Sequence, residues 1–131
     1  MITPSNPQKN IMLDVDLLML ILDKVGDGVV LTDPNLKNTP IVYASAGFYE
    51  LTGYTEEEVL GRNCSFLQGK GTSPEVIAEI KNAILLKKSF KGKLLNYKKN
   101  GEPFLNLLRI EPIVQNGELK YYLGSQINYL I

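Results

Sequence analysis

FKGKLLNYKKNGEPFLNLLRIEPIVQNGELKYYLGSQIN, residues 90–128, is the stretch that decides the architecture. It divides at Asn100-Gly101 and Asn116-Gly117, and Asn-Gly is the strongest short-range hairpin signal because both residues tolerate positive φ. The pieces between, Phe90 to Tyr97, Pro103 to Ile113 and Leu119 to Asn128, form three successive antiparallel strands. Side chains alternate across a strand, so Leu94 and Asn96 share a face, as do Phe104, Asn106, Leu108 and Ile110, and likewise Tyr122, Gly124 and Gln126. Each strand thus sets one amide on a face that otherwise reads as core. An unpaired buried amide costs about 1–3 kcal/mol, so three together imply either an internal network or the polar edge of a ligand. The residues alone leave both open.

Upstream, Ser73-Pro74-Glu75 is a helix start: a cap, proline at the first position and an acid in the first turn. Val76, Ile77, Ile80, Ala83 and Ile84 fall on one face of that helix, with Lys81 at its flank. By itself Lys81 is more simply a solvated surface lysine. Thr55 and Glu58 have capping-box spacing ahead of Val59-Leu60, with Gly61 as the stop, and Ser45 is placed to cap a short turn carrying Phe48 and Leu51. Val29-Val30-Leu31 begins a short strand that ends at Thr32-Asp33-Pro34-Asn35, and Pro40 to Ser45 is its hairpin partner. Five strands in one antiparallel sheet, with short helices against one face, make an α+β domain over residues 26–131. Residues 1–25 supply a flexible start and an apolar helix, Ile11 to Val25, whose wide greasy surface suits a cap on the domain or a contact with a second copy.

The chain has 131 residues, enough for one domain with a core and a single small-molecule pocket. Its 14 basic and 14 acidic residues balance, which argues against a nucleic-acid footprint; the lysines at 87, 88, 91 and 93 lead into a strand and suit a solvated edge. No signal-peptide pattern opens the chain, and the apolar run Leu17 to Leu22 is too short to span a bilayer, so neither membrane nor secretion is expected and the location is cytoplasmic. One cysteine and no pair agree with a reducing compartment.

That cysteine, Cys64, lies in Gly61-Arg62-Asn63-Cys64-Ser65-Phe66-Leu67-Gln68-Gly69. A lone thiol is either an inert packed residue or a reactive group serving something else. Amides at Asn63 and Gln68 and the charge of Arg62 favour a polar, anionic ligand beside it.

This segment, together with the spacing from about Gly28 to Asn128, resembles the LOV domains, the flavin-binding, blue-light-sensing branch of the PAS superfamily. The resemblance implies the PAS fold and a flavin mononucleotide (FMN) beside Cys64, with riboflavin or FAD as less favoured cofactors. It implies that Asn96, Asn106 and Gln126 hold the pyrimidine edge of the ring, with Gln126 reaching O4 and N5. Asn63 and Gln68 match residues that bond the ribityl chain and ring edge. Val30 and Thr32 match pocket residues on the first strand; Ile77, Leu94 and Ile110 match apolar ring contacts; Gly124 matches a small residue beside the flavin. Ile41, Arg62, Leu67, Leu108 and Tyr122 complete the expected cofactor surroundings. Light would drive a reversible bond from the Cys64 sulfur to flavin C4a. Protonation of N5 would then favour a turn of the Gln126 amide, signalling through the last strand to the Ile11–Val25 helix or a dimer contact, with no enzymatic activity and no nameable effector.

The chain departs from that pattern where many LOV domains carry phosphate-gripping arginines, here Ser65 and Lys81, neither of which offers a bidentate fork. Weaker phosphate anchoring follows. The short loop before Ser73 favours a mononucleotide over FAD. Two other classes compete: a PAS module that binds no flavin, its cysteine structural or redox-sensing, and a flavin oxidoreductase. The second lacks a dinucleotide fingerprint and has no histidine for acid–base work.

Overall fold

The structure is a computed structural model and describes residues 14–24 and 28–129. Its strands are β1 (Gly28–Thr32), β2 (Ile41–Ala44), β3 (Phe90–Tyr97), β4 (Pro103–Gln115) and β5 (Glu118–Asn128). They form one sheet in the order β2-β1-β5-β4-β3, with every neighbouring pair antiparallel. The helices are α1 (Val15–Lys24), α2 (Ala46–Thr52), α3 (Glu56–Val59) and α4 (Pro74–Leu85), and a 3₁₀ turn spans Cys64–Leu67. The five-stranded α+β architecture expected from the sequence is the one observed. The first three residues of the expected N-terminal helix, 11–13, lie outside the described residues, as do Val25, the Gly26-Asp27 break and the segment before residue 11.

Local chemistry explains the elements. Asn116 and Gly117 both take positive φ (53° and 79°), as a two-residue hairpin loop requires. The other Asn-Gly pair turns differently: only Gly101 is left-handed (φ 88°), and its N–H bonds back to the Lys98 carbonyl. The Thr55–Glu58 capping box is formed in both directions, and Ser73 Oγ accepts the Val76 N–H ahead of Pro74. Ser45 departs from expectation. Its hydroxyl makes no cap bond on α2 but accepts the Val29 N–H at 2.9 Å, prolonging the β1–β2 contact.

Alternation along the strands puts Leu94, Asn96, Phe104, Asn106, Leu108, Tyr122, Gly124 and Gln126 on the buried face. The apolar core there is split in two. One cluster gathers Val30, Ile41, Ala44, Phe48, Val59 and Leu67; the other gathers Phe90, Leu94 and Leu108 under Ile77 and Ile80 of α4. Residues from both clusters wall the cavity described below.

The described part of the N-terminal helix lies open on the surface. No residue of α1 is buried, and Val15 is 71% exposed. Its side-chain anchor is Asp23, whose Oδ1 accepts from the Tyr43 hydroxyl of β2 and from the Ala46 N–H at the start of α2. A carboxylate satisfied at the helix α2 N-terminus wins over apolar burial under β5.

Candidate functional site

The described residues enclose a cavity of about 260 Å³ between the sheet and α4, near the lower end of small-molecule sites. Its sheet wall is Val30 and Thr32 from β1, Leu94 and Asn96 from β3, Leu108 and Ile110 from β4, and Tyr122, Gly124 and Gln126 from β5. Opposite stand Cys64, Ser65 and Leu67 of the 3₁₀ turn, flanked by Asn63 and Gln68, with Ile77 and Lys81 of α4.

The three amides occupy the buried floor. Asn106 is fully buried, and its Nδ2 donates to Asn96 Oδ1 at 2.9 Å and to Gln126 Oε1 at 2.7 Å. Asn96 Nδ2 in turn donates to the Leu67 carbonyl at 3.2 Å, which ties the end of the cysteine turn to β3. The internal network left open by the sequence is therefore present, and two of its members, Asn96 and Gln126, line the cavity. The network is incomplete, because Asn106 Oδ1 is buried with no hydrogen-bond partner among the described residues. Asn106 itself stands behind the lining, reached through Asn96 and Gln126.

Room for a flat ring comes from Gly124. A Cβ there would lie 3.0 Å from Val30 Cγ2 and 3.3 Å from Gln126 Nε2, so a side chain would fill the space between β1 and the amide floor. An apolar slot with the amides of Asn96 and Gln126 in its wall fits the tricyclic, amide-edged head of a flavin, whose edge offers N–H as well as carbonyl groups.

Cys64 begins the 3₁₀ turn with its side chain against the Val30–Leu67 cluster, and burial pushes its thiol up to about 12. At neutral pH it is a protonated thiol. Asn63 caps this turn: its Oδ1 accepts the Ser65 N–H at 2.9 Å while its Nδ2 donates to the Asn38 carbonyl at 2.7 Å. Its amide thus already serves the backbone, which narrows the ligand-bonding role expected for it.

Besides Asn106, two further expected cofactor neighbours, Arg62 and Ile41, do not line the cavity. Arg62 places its guanidinium 4.3 Å from the Phe66 ring centre, and its Nη1 reaches the Glu58 carbonyl, so the exposed charge is turned aside. Ile41 is buried in the core behind the wall. The two act through backbone: the Ile41 N–H donates to the Arg62 carbonyl at 2.8 Å and the Gly61 N–H to the Ile41 carbonyl at 2.9 Å, which fastens the cysteine segment to β2.

Tyr122 does line the cavity, but its hydroxyl neither reaches solvent nor faces free space; it donates to the Ile84 carbonyl at 2.8 Å and joins β5 to α4. Burial raises its pKa. Three lining residues were missed by sequence reasoning. Ile80 and Ile84 follow Ile77 at helical spacing and were legible as one face, whereas Thr39, in a left-handed conformation at φ 46° in the β1–β2 loop, carried no signal.

The loop between the 3₁₀ turn and α4 is tied flat against β3. Gly71 N–H donates to the Tyr97 hydroxyl at 2.7 Å, and Thr72 Oγ1 donates to the Leu95 carbonyl at 2.7 Å. A Cβ on Gly69 would come within 2.5 Å of Tyr97 ring carbons.

Among the described residues no cluster could hold a metal ion, and no helix is long and apolar enough to cross a membrane.

Residues 26–129 match the PAS domain family. A blue-light photoreceptor of Listeria innocua is 44% identical over 111 residues, covering 85% of this chain and 44% of that protein. Phototropin-1A of Oryza sativa subsp. japonica is 50% identical over 99 residues, 75% of this chain and 11% of its own length. A blue-light-activated histidine kinase of Brucella anthropi is 44% identical over 101 residues, 76% and 21% of the two chains. The chain spans less than half the length of these relatives. A light-state structure of the blue-light photoreceptor Aureochrome1 LOV superposes with a TM-score of 0.77 at 40% identity, covering 82% of this chain and 85% of that one. With the fold, the cysteine turn and the matched span in agreement, the chain belongs to the PAS domain family and, within it, to the LOV branch.

Proposed function

We propose that the domain is a blue-light sensor that binds FMN in the cavity between α4 and the sheet, with Cys64 as the reacting residue and no enzymatic turnover of its own. The observation that carries this reading is one cavity combining the only thiol of the chain with an amide floor whose Asn106 Oδ1 lacks a partner. When bound, FMN would be held by Asn96 and Gln126 on the sheet side and faced by Cys64, and would supply blue-light absorption and an electrophilic ring for the thiol.

The chain's own residues set the conditions. Burial raises the Cys64 thiol further above neutral pH, so in darkness it is protonated and a poor nucleophile. The amide wall would orient the ring, and Gln126, whose amide carries both a donor and an acceptor, could present either group to it.

The signal then leaves through β1. Gly28 pairs with Gln126 in register, and a Cβ on Gly28 would stand 3.2 Å from Gln126 Cγ and 3.0 Å from Phe48 Cα, so β1 is wedged between the amide and α2. α2 begins where Asp23 of α1 docks. The exposed apolar residues Leu17, Leu18, Leu20 and Ile21 support pairing of α1 with a second copy of the chain, with residues 26–131 as the sensor core. If Gln126→Leu leaves the light-induced change in α1 amide protection undiminished, this route is wrong.

Absorption spectra in darkness, under blue light and during recovery test the whole reading. A structured blue band that bleaches and returns, but persists under light in Cys64→Ala, is the expected result. A colourless protein that takes up no FMN would instead favour a PAS module that binds another ligand, for which the mutual bonding of the three amides offers some support.

A further inference from the structure

The two ends of the cavity have unlike chemistry. Its inner end is neutral and built: Asn96, Asn106 and Gln126 are buried, held on three strands and bonded to one another, with Asn106 Oδ1 awaiting a donor. Its outer end is marked by the exposed lining residues Asn63, Ser65 and Lys81. A phosphate monoester at neutral pH carries about −1.5 to −2 charges, and these must be answered at that outer end.

Little there can answer them. Among the lining residues Lys81 is the single cation, and no arginine lines the cavity. Arg62, close in sequence to Cys64, is stacked on Phe66 and bonded to Glu58. Arg109 is paired with Glu111, Lys99 with Glu58 and Lys98 with Glu102, all away from the lining. Asn63 holds the Asn38 carbonyl and the Ser65 N–H. A pair between an exposed lysine and an anion changes an equilibrium at most about fivefold, or about 1 kcal/mol.

We propose that this site selects the isoalloxazine head and is nearly indifferent to the phosphate, so that riboflavin is a ligand of this domain on a par with FMN. The proposal rests on the reading of the cavity as a flavin site. Recognition is concentrated in the buried floor, where an amide left unpaired is costly, and the solvent-exposed phosphate end adds only a screened point charge.

The test is titration of the flavin-free full chain with riboflavin and with FMN at low and high salt, read by flavin fluorescence. The expected dissociation constants lie within about tenfold of each other, and the residual FMN preference shrinks toward unity at high salt and in Lys81→Met. Lys81→Arg, which places a planar fork at the same exposed position, should raise the ratio of FMN to riboflavin affinity. An FMN preference of about a hundredfold or more, or one that survives both Lys81→Met and high salt, overturns the inference while leaving the flavin reading intact. Binding of neither flavin overturns both.

Discussion

Asp23 Oδ1 lies 3.0 Å from the Ala46 backbone nitrogen and 3.1 Å from the Tyr43 hydroxyl, so a residue of α1 caps the first turn of α2. The local cap residue cannot do so, because Ser45 Oγ is engaged by the Val29 N–H. Asp23→Ala should therefore cost about 0.5–2 kcal/mol, the usual range for a lost cap. Hydrogen exchange should show α1 and the first turn of α2 losing protection together, with β3 and β4 unchanged; Asp23→Asn, which keeps an acceptor, should lose less.

Asn106 stands behind the lining and holds the two amides that do line the cavity, through Asn96 Oδ1 and Gln126 Oε1. Asn106→Leu strands Asn96 Oδ1 and Gln126 Oε1, so flavin affinity should fall by about 1–3 kcal/mol, roughly fivefold to 150-fold. Titration with FMN would measure it. An unchanged affinity would show that the floor does not face the ligand.

Burial raises the Cys64 thiol to about 12 against an ordinary value near 9. Native Cys64 should accordingly react with iodoacetamide at mildly alkaline pH at least about tenfold more slowly than in the urea-unfolded chain. The same shift makes stability pH-dependent. Below the unfolded value the folded and unfolded chains hold the same proton and the contribution is complete; above it the unfolded chain releases the proton first, so stability falls as pH climbs from about 9 toward 12. Tyr43, raised to about 12 by burial and then by its bond to Asp23, adds a loss of the same sign from about 10 upward. Denaturant midpoints across this window should decline less steeply in Cys64→Ala and in Tyr43→Phe.

Gly69 lets the loop after the cysteine turn lie on Tyr97, whose ring carbons would stand 2.5 Å from an added Cβ. Gly69→Ala should destabilise the domain by about 1–3 kcal/mol through overpacking, measured as a lower thermal midpoint. Adding Tyr97→Leu should recover part of the loss, since it removes the clash together with the Tyr97 bond to Gly71.

Features written over a few residues were legible before folding. The Thr55–Glu58 box, the Ser73-Pro74 start and the two Asn-Gly turns are satisfied within one or two turns of chain, so spacing alone reveals them. The buried alternation of Asn96, Asn106 and Gln126 was equally visible, because a strand has period two. Other assignments depended on partners far along the chain. Arg62 read as a charge beside the thiol, yet Phe66 and Glu58 draw it aside; Ser45 read as a cap, yet Val29 takes its hydroxyl. Thr39 enters the cavity through a left-handed loop conformation that its residue type disfavours.

By itself the sequence determined the strands, the Thr55 and Ser73 helix caps and the face on which three amides would lie, since each is set by side-chain periodicity or local bonding. Only the tertiary structure decided that β1 would slot beside β5, placing Val30 opposite Gly124 and Gly28 opposite Gln126, and that α1 would hang on Asp23 rather than lie beneath β5. The physical reason is that pairing and docking compare contacts between distant segments, whose relative free energies are settled by the whole assembled core and are written in no single stretch of chain.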